Sequence, residues 1–190
     1  MDTLGIVDSR SIAAGTALAD SMLKAAAVTL VRASVVCAGR LLIVVEGDRE
    51  AVETAVRTAR EAEASLAGSY IISPVDPQVQ AALRRRPQPA AGQALGVVEC
   101  RNAADGVMAA DAAVKKAQVA LMRLVLGQGI GGKSFFVLTG DVAAVREAVD
   151  TATAELGKSL LRAVVLPRPE PEVTQALAGV AKPNPAPAGE

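Results

Sequence analysis

The sequence predicts an α+β protein made of two tandem copies of one βαββαβ unit. The first observation behind this prediction is an internal repeat that covers nearly the whole chain. The segment TLGIVD at residues 3–8 recurs as ALGVVE at residues 94–99, and Lys24 recurs as Lys115, 91 positions later. Gly47 recurs as Gly140, 93 positions later, so the second copy carries two extra residues between these points. The second observation is that each copy alternates short apolar runs with segments of helical periodicity.

Within the first copy, the pattern predicts strands over residues 4–7, 28–36, 41–46 and 70–73, and helices over residues 11–26 and 49–66. Apolar and small residues at spacings of three and four define the buried face of each helix: Ile12, Gly15, Ala19, Met22 and Ala26 on the first, and Val52, Ala55, Val56 and Ala59 on the second. Asp48 stands directly before the second helix, where its side chain is expected to cap the helix. This order of elements is the ferredoxin-like plan, with both helices on one face of an antiparallel sheet.

The second copy repeats the plan, with strands expected near residues 95–99, 119–126, 135–139 and 161–166. We therefore expect a first repeat over residues 1–84, a linker rich in Arg, Pro and Ala over residues 85–93, and a second repeat over residues 94–170. Residues 171–190 contain several prolines and are expected to form a tail that is partly disordered.

The composition argues against several classes of function. The chain contains no His, which excludes His-based acid–base catalysis and His-ligated metal sites. Zero formal net charge and 2% aromatic residues provide no basic or stacking surface for nucleic acid. The apolar runs are shorter than the ~18 residues of a membrane span, and two cysteines without an export signal favour the reducing cytoplasm. The dispersed polar residues favour a structural protein over an enzyme.

A predicted hairpin near Cys37 carries the candidate site. Two apolar runs flank the turn Cys37-Ala38-Gly39-Arg40, and a cysteine at a loop tip has thiol chemistry available to it. The repeat aligns Gln128 with Cys37, so we expect both loops to face an axial pore in a symmetric assembly. The duplication predicts a trimer, because three chains with two similar repeats each supply six similar wedges.

Taken together, these residues resemble the bacterial microcompartment shell proteins. The resemblance lies in an opening Gly-Ile-Val-Asp strand, an Ala-Asp-x-x-x-Lys helix, a Gly-Arg or Gly-Lys loop, a Gly-Asp helix start and a closing Leu-Pro-Arg-Pro. Two copies in one chain resemble the tandem class, whose trimers look like hexamers. The loops at Cys37 and Gly129 are similar to those of an iron–sulfur subfamily of propanediol-utilisation shells, in which one cysteine per chain holds a [4Fe–4S] cluster at the trimer pore.

This resemblance implies roles for particular residues. Cys37 would ligate the cluster, one cluster per trimer, and electrons would cross the shell to or from an encapsulated redox enzyme. The implied pore lining is Cys37, Ala38, Gly39, Gln128, Gly129, Ile130 and Gly131. Lys24, Lys115 and Arg168 would lie at the edge of the tile, where it meets other shell proteins of a microcompartment in the cytoplasm.

The residues alone leave alternatives open. The stretch from Gly127 to Ser134 matches the phosphate-binding pattern G-x-x-x-x-G-K-[ST], but the apolar run after it predicts a strand, whereas phosphate binding needs a helix there. Cys37 is alternatively a half-buried thiol beside a cluster-free pore for small metabolites. A further alternative is a trimeric ferredoxin-like sensor of a small effector. Cys100 is interpreted as a structural residue.

Overall fold

A computed structural model describes residues 3–63, 65–84 and 92–178 of the chain. The first repeat contains β1 (Thr3–Ser9), α1 (Ile12–Ala25), β2 (Thr29–Val36), β3 (Arg40–Gly47), α2 (Arg49–Ala62), β4 (Leu66–Ile72) and α3 (Pro77–Leu83). The second contains β5 (Ala94–Cys100), α4 (Ala103–Lys116), β6 (Val119–Leu126), β7 (Ser134–Gly140), α5 (Val142–Leu156), a 3₁₀ turn (Gly157–Ser159), β8 (Leu160–Pro167) and α6 (Pro171–Ala178). The predicted βαββαβ order is confirmed in both repeats.

Each repeat forms one four-stranded antiparallel sheet, in the orders β2-β3-β1-β4 and β6-β7-β5-β8. The helices pack closely on the central strands because these strands carry glycines. A Cβ atom at Gly5 would lie 2.7 Å from Val56, and one at Gly96 would lie 2.7 Å from Val149. Because the two sheets have the same strand order, the β2–β3 and β6–β7 hairpin loops occupy equivalent positions in the two repeats.

Several local predictions need correction. Ile12 is 40% exposed, and Leu18 lies on the buried face of α1 instead, because it follows Gly15 by three residues and precedes Met22 by four. The second helix ends at Ala62 and not at residue 66, since Leu66 pairs with Ser9 in the sheet. Asp48 occupies the cap position of α2, but its side chain makes no capping hydrogen bond. The predicted buried face of α2 is confirmed.

Two helices were not predicted. Seven-residue α3 begins with Pro77 and is capped by Asp76, whose side chain accepts a hydrogen bond from the backbone N–H of Gln78 at 2.8 Å. Helix α6 occupies residues 171–178, where only a Pro-rich tail was predicted. Both helices are too short for their periodicity to be recognised against the prolines around them. The rest of the predicted tail and residues 85–91 of the predicted linker lie outside the described residues.

Helix α4 joins the two repeats by contacting strands of both sheets. Ten of its 14 residues are buried, compared with four of 14 in the equivalent helix α1. A polar network crosses this junction. Tyr70 donates to Asp105 Oδ1 at 2.7 Å, and Asn102 donates to Asp105 Oδ2 at 2.6 Å and to the Ala67 carbonyl at 3.2 Å. Burial, reinforced by the Asp105 carboxylate, raises the pKa of Tyr70 above its ordinary value. These directional bonds define the register between the repeats.

Candidate functional site

The two hairpin loops of the chain meet at one end of the sheets. Residues 37–39, here called the cysteine loop, connect β2 to β3, and residues 127–133, the glycine loop, connect β6 to β7. The backbone N–H of Cys37 donates to the Gly127 carbonyl at 3.1 Å. The Gln128 side chain donates to the Val35 carbonyl at 3.2 Å. The structure therefore brings into contact the two loops whose residues the sequence predicts to line a pore.

The thiol of Cys37 faces the backbone of the glycine loop. It is half-buried, and the N–H of Gly129 donates to its Sγ at 3.2 Å. This hydrogen bond lowers the pKa of Cys37, and the N–H groups of Gly131, Gly132 and Ile130 add to the effect against a smaller opposing effect of burial. Backbone donors stabilise the thiolate form, which is the form that binds metals and attacks electrophiles.

Glycine is required in the glycine loop by conformation and by space. Gly127, Gly129, Gly131 and Gly132 all have positive φ angles, between 66° and 78°. A Cβ atom at Gly132 would lie 2.8 Å from the Cys37 carbonyl oxygen. The loop is followed directly by strand β7 and not by the helix that phosphate binding needs, so the nucleotide-binding alternative is not supported.

The cysteine loop contains a strained residue, and this leads to a prediction. Ala38 has φ +66°, in the left-handed region that favours glycine, and Gly39 follows with φ +69°. Ala38→Gly is expected to raise the free energy of unfolding by about 0.5–1 kcal/mol, because glycine adopts this conformation without a Cβ penalty. Ala38→Pro is expected to destabilise the protein, because proline fixes φ near −65°. Urea unfolding of both variants checks this, and equal stabilities would show that residue 38 does not have a positive φ.

A buried ion pair between Arg40 and Asp8 contacts the glycine loop. Arg40 donates to the Gly132 carbonyl, and its Nε lies 3.5 Å from Asp8 Oδ1. Asp8 is fully buried, and its Oδ2 accepts from the N–H of Ala103, at the start of α4, at 3.2 Å. Burial raises the pKa of Asp8, while the Arg40 guanidinium opposes this shift. This pair was not predicted from the sequence, although charged residues at the equivalent positions of both repeats were a usable signal.

The second cysteine lies in a different environment. Cys100 is fully buried, and its Sγ lies 2.9 Å from the Ser134 hydroxyl, which donates to the Asn102 carbonyl at 2.6 Å. Burial raises the pKa of the Cys100 thiol to about 11. A neutral, enclosed thiol is a poor ligand and nucleophile, so these surroundings favour the structural role expected for Cys100.

The three residues predicted at a tile edge lie in unlike surroundings. Lys24 is exposed and pairs with Asp20 at 2.5 Å. The equivalent Lys115 pairs with Asp111, whose carboxylate is buried and also accepts from the backbone N–H of Asp76 at 2.8 Å. Arg168 is exposed at the end of β8 with φ +50°, and its N–H donates to the Gln93 carbonyl at 2.7 Å. Equivalence in sequence therefore does not mean equivalent exposure.

One chain supplies a single thiol to the candidate site. Within residues 3–63, 65–84 and 92–178, no group of three or more Cys, His, Asp or Glu side chains could hold a metal ion. A [4Fe–4S] cluster needs four ligands, so the site fits such a cluster only where Cys37 thiols from several chains converge. In the described part of the chain, no helix is long and apolar enough to cross a membrane.

Comparison with known proteins defines the class to which this fold and loop arrangement belong. The BMC domain matches residues 3–75 and 94–169, which correspond to the two repeats. The chain therefore belongs to the bacterial microcompartment shell protein family and carries two tandem BMC domains. Proteins of this family are structural, which agrees with the expectation of a non-enzyme.

Particular relatives extend over most of the chain. It is 37% identical over 177 residues to the bacterial microcompartment shell protein PduT of Citrobacter freundii, covering 87% of this chain and 92% of that protein. It is 41% identical over 92 residues to the carboxysome shell protein CsoS1C of Hydrogenovibrio crunogenus, covering 46% of this chain and 86% of that protein. The crystal structure of a microcompartment protein from Desulfitobacterium hafniense superposes with a TM-score of 0.81 at 38% identity, covering 92% of this chain and 99% of that one. The predicted resemblance to microcompartment shell proteins with two tandem domains is confirmed.

Proposed function

We propose that the protein is a trimeric, pseudohexameric tile of a microcompartment shell whose axial pore holds a [4Fe–4S] cluster through Cys37. The pore would be lined by residues of the cysteine and glycine loops: Cys37, Ala38, Gly39, Gln128, Gly129, Ile130 and Gly131. The tile would assemble with other shell proteins and exchange electrons with an encapsulated redox enzyme.

The observation that carries the trimer is an apolar surface on the first repeat. Ile12, Leu23, Leu30 and Val35 are between 38% and 52% exposed. Their equivalents 91 positions later are Ala103, Val114, Leu121 and Leu126, which are at most 7% exposed because they lie in the core that the two repeats share. The first repeat therefore presents the surface that the second repeat buries, and the second repeat of another copy is the partner that fits it.

This surface leads to a prediction about assembly. Leu30→Asp is expected to convert the trimer into a monomer, because it places a charge on the apolar surface that a partner would cover. The matched control is Ala143→Asp on α5, since its equivalent in the first repeat is the exposed Glu50, and this variant is expected to remain trimeric. Sedimentation equilibrium measures both. A wild-type chain that remains monomeric at micromolar concentration would contradict the trimer.

The thiol environment supports the cluster. Cys37 is the half-buried cysteine of the pair, and backbone N–H groups favour its thiolate form. Hydrogen bonds to cysteine sulfurs also tune cluster potentials. Three chains would supply three thiolates and leave one iron open to an exchangeable ligand, and a bound cluster would supply one-electron transfer. Iron and acid-labile sulfide analysis of anaerobically purified protein tests this, with about one cluster expected per three chains.

A cluster-free pore is the second candidate, and the uncharged lining favours it. Cys37, Ala38 and Gln128 carry no fixed charge at the loop tips, which suits passage of small polar metabolites. Absence of iron and sulfide from anaerobically prepared trimers would favour this function over electron transfer.

The proposed tile edge leads to a prediction about Lys24. This side chain is 75% exposed and pairs with Asp20 on its own helix, so Lys24→Ala is expected to leave the melting temperature nearly unchanged. The same variant is expected to impair two-dimensional sheets of tiles, together with variants of Lys115 and Arg168. Arg49→Ala removes a similar exposed ion pair and serves as the control. Normal sheets of the Lys24 variant in electron micrographs would remove Lys24 from the edge.

A further inference from the structure

We propose that Lys133 of the partner subunit completes the Cys37 site by donating to the Gly39 carbonyl and thereby holding the cysteine loop in place. This inference rests on the proposed trimer and names a contact that the trimer creates. Each Cys37 would then lie between the glycine loop of its own chain and an ammonium group from the next chain.

Within one chain, a side chain of the first repeat holds the glycine loop of the second. Arg40 of the first repeat donates to the Gly132 carbonyl of the second repeat. Asp8 holds Arg40 from the other side, and the N–H of Ala103 holds Asp8. The cation and the carboxylate of the first repeat are thus bound to the glycine loop and to the start of α4 in the second repeat.

The second repeat carries a cation and a carboxylate at the positions equivalent to Arg40 and Asp8. Lys133 follows Arg40 by 93 positions and Glu99 follows Asp8 by 91, as expected on either side of the two-residue insertion. Lys133 donates to Glu99 at 3.1 Å. The two side chains are 50% and 39% exposed, whereas those of Arg40 and Asp8 are 11% and 0% exposed. The second pair is therefore formed but lacks the neighbouring repeat that covers the first.

The acceptor that this second pair would reach is also present. Gly39 is equivalent to Gly132, and the two have φ angles of +69° and +78°. The preceding residues, Ala38 and Gly131, both have φ +66°. The ends of the two loops therefore have similar φ angles, which makes the Gly39 carbonyl the counterpart of the Gly132 carbonyl.

The surroundings of Gly39 and Gly132 differ in the presence of a neighbouring cation. A Cβ atom at Gly132 would lie 2.8 Å from Arg40 Nη2, but one at Gly39 would meet no atom of the described residues within 4 Å. By the same equivalence, the partner subunit's Glu99 carboxylate would accept from the N–H of Ile12, as Asp8 accepts from Ala103. At this interface the partner subunit therefore supplies the cation and the carboxylate, and the other copy supplies the cysteine loop and the helix start.

The test compares three variants in the full-length protein. Lys133→Ala is expected to raise the trimer dissociation constant at least tenfold by sedimentation. Lys133→Arg is expected to retain wild-type assembly, because Arg40 makes the equivalent contact within the chain. Lys116→Ala, which removes a similarly exposed pair with Glu147 inside the second repeat, is the matched control and is expected to behave as wild type.

A cross-linking measurement reads the contact directly. A short reagent that joins an amine to a thiol is expected to link Lys133 of the partner subunit to Cys37 and to give a covalent dimer on denaturing gels. The product is expected to persist in Lys116→Ala and to vanish in Lys133→Ala and in Cys37→Ser. Equal dissociation constants for Lys133→Ala and Lys116→Ala, or a dimer that survives in Lys133→Ala, would overturn the inference.

These outcomes separate this inference from the proposed function. A monomeric wild-type protein would refute the trimer, and the Lys133 contact with it. A wild-type trimer without iron, but with a weakened Lys133→Ala variant, would refute the cluster and support the contact.

Discussion

Replacing Cys37 with Ser is expected to abolish the broad visible absorbance of anaerobically reconstituted protein while leaving a folded trimer. Cys37 is the thiol that lies at the loop junction, half-buried and within 3.2 Å of the Gly129 N–H. A serine hydroxyl remains protonated near neutral pH and is a weak iron ligand, so loss of all three thiolates would leave the cluster without a protein anchor. The measurement is the absorbance spectrum together with iron content per chain.

The matched control for this experiment is Cys100→Ser. Cys100 ends β5 and is fully buried beside Ser134, and its raised pKa disfavours the thiolate. Reconstituted Cys100→Ser is therefore expected to keep the wild-type absorbance. A Cys37→Ser protein that retains the cluster, or a wild-type protein that forms none, would end the electron-transfer proposal and favour the metabolite pore.

Replacing Asp8 with Ala is expected to lower the free energy of unfolding by about 3–5 kcal/mol. The Asp8 carboxylate is fully buried at the junction between the repeats, where it faces Arg40 and accepts from the N–H of Ala103. Its removal would leave a guanidinium that is 11% exposed without its counter-charge, and a buried N–H without its acceptor. Urea unfolding at one fixed chain concentration measures the effect, because trimer assembly contributes to apparent stability.

The control for Asp8→Ala is Asp20→Ala. Asp20 also pairs with a cation, but its side chain is 62% exposed and water replaces the lost contact. We expect Asp20→Ala to cost at most about 1 kcal/mol. Similar losses for the two variants would show that the Asp8–Arg40 pair is not buried in solution.

Most of the fold could be predicted because its signals are local and occur twice. Strand positions follow from short apolar runs, and the buried face of α2 follows from residue spacing alone. The shift between the two repeats from 91 to 93 positions located the longer glycine loop, and the strand pairing confirms that location. The short helices α3 and α6 could not be found in this way, because seven or eight residues beside proline carry little periodicity.

The candidate site was predicted only in part. Cys37 and Gln128 were recognised from their loops, and the structure brings these loops into contact. Arg40 and Asp8 were missed because they are far apart in sequence, and a charged residue in a strand or turn usually faces solvent.

The sequence by itself determined that this chain contains two copies of one shell domain, each with a loop at the same place. Only the tertiary structure decided which copy buries its equivalent residues. Asp8 is buried while Glu99 is half-exposed, and Leu121 is buried while Leu30 is exposed. The physical reason is that spacing along the chain defines the apolar face of an element, whereas burial depends on the neighbour that covers it. A single chain contains one junction between unlike repeats and leaves the complementary surfaces of the next junction uncovered.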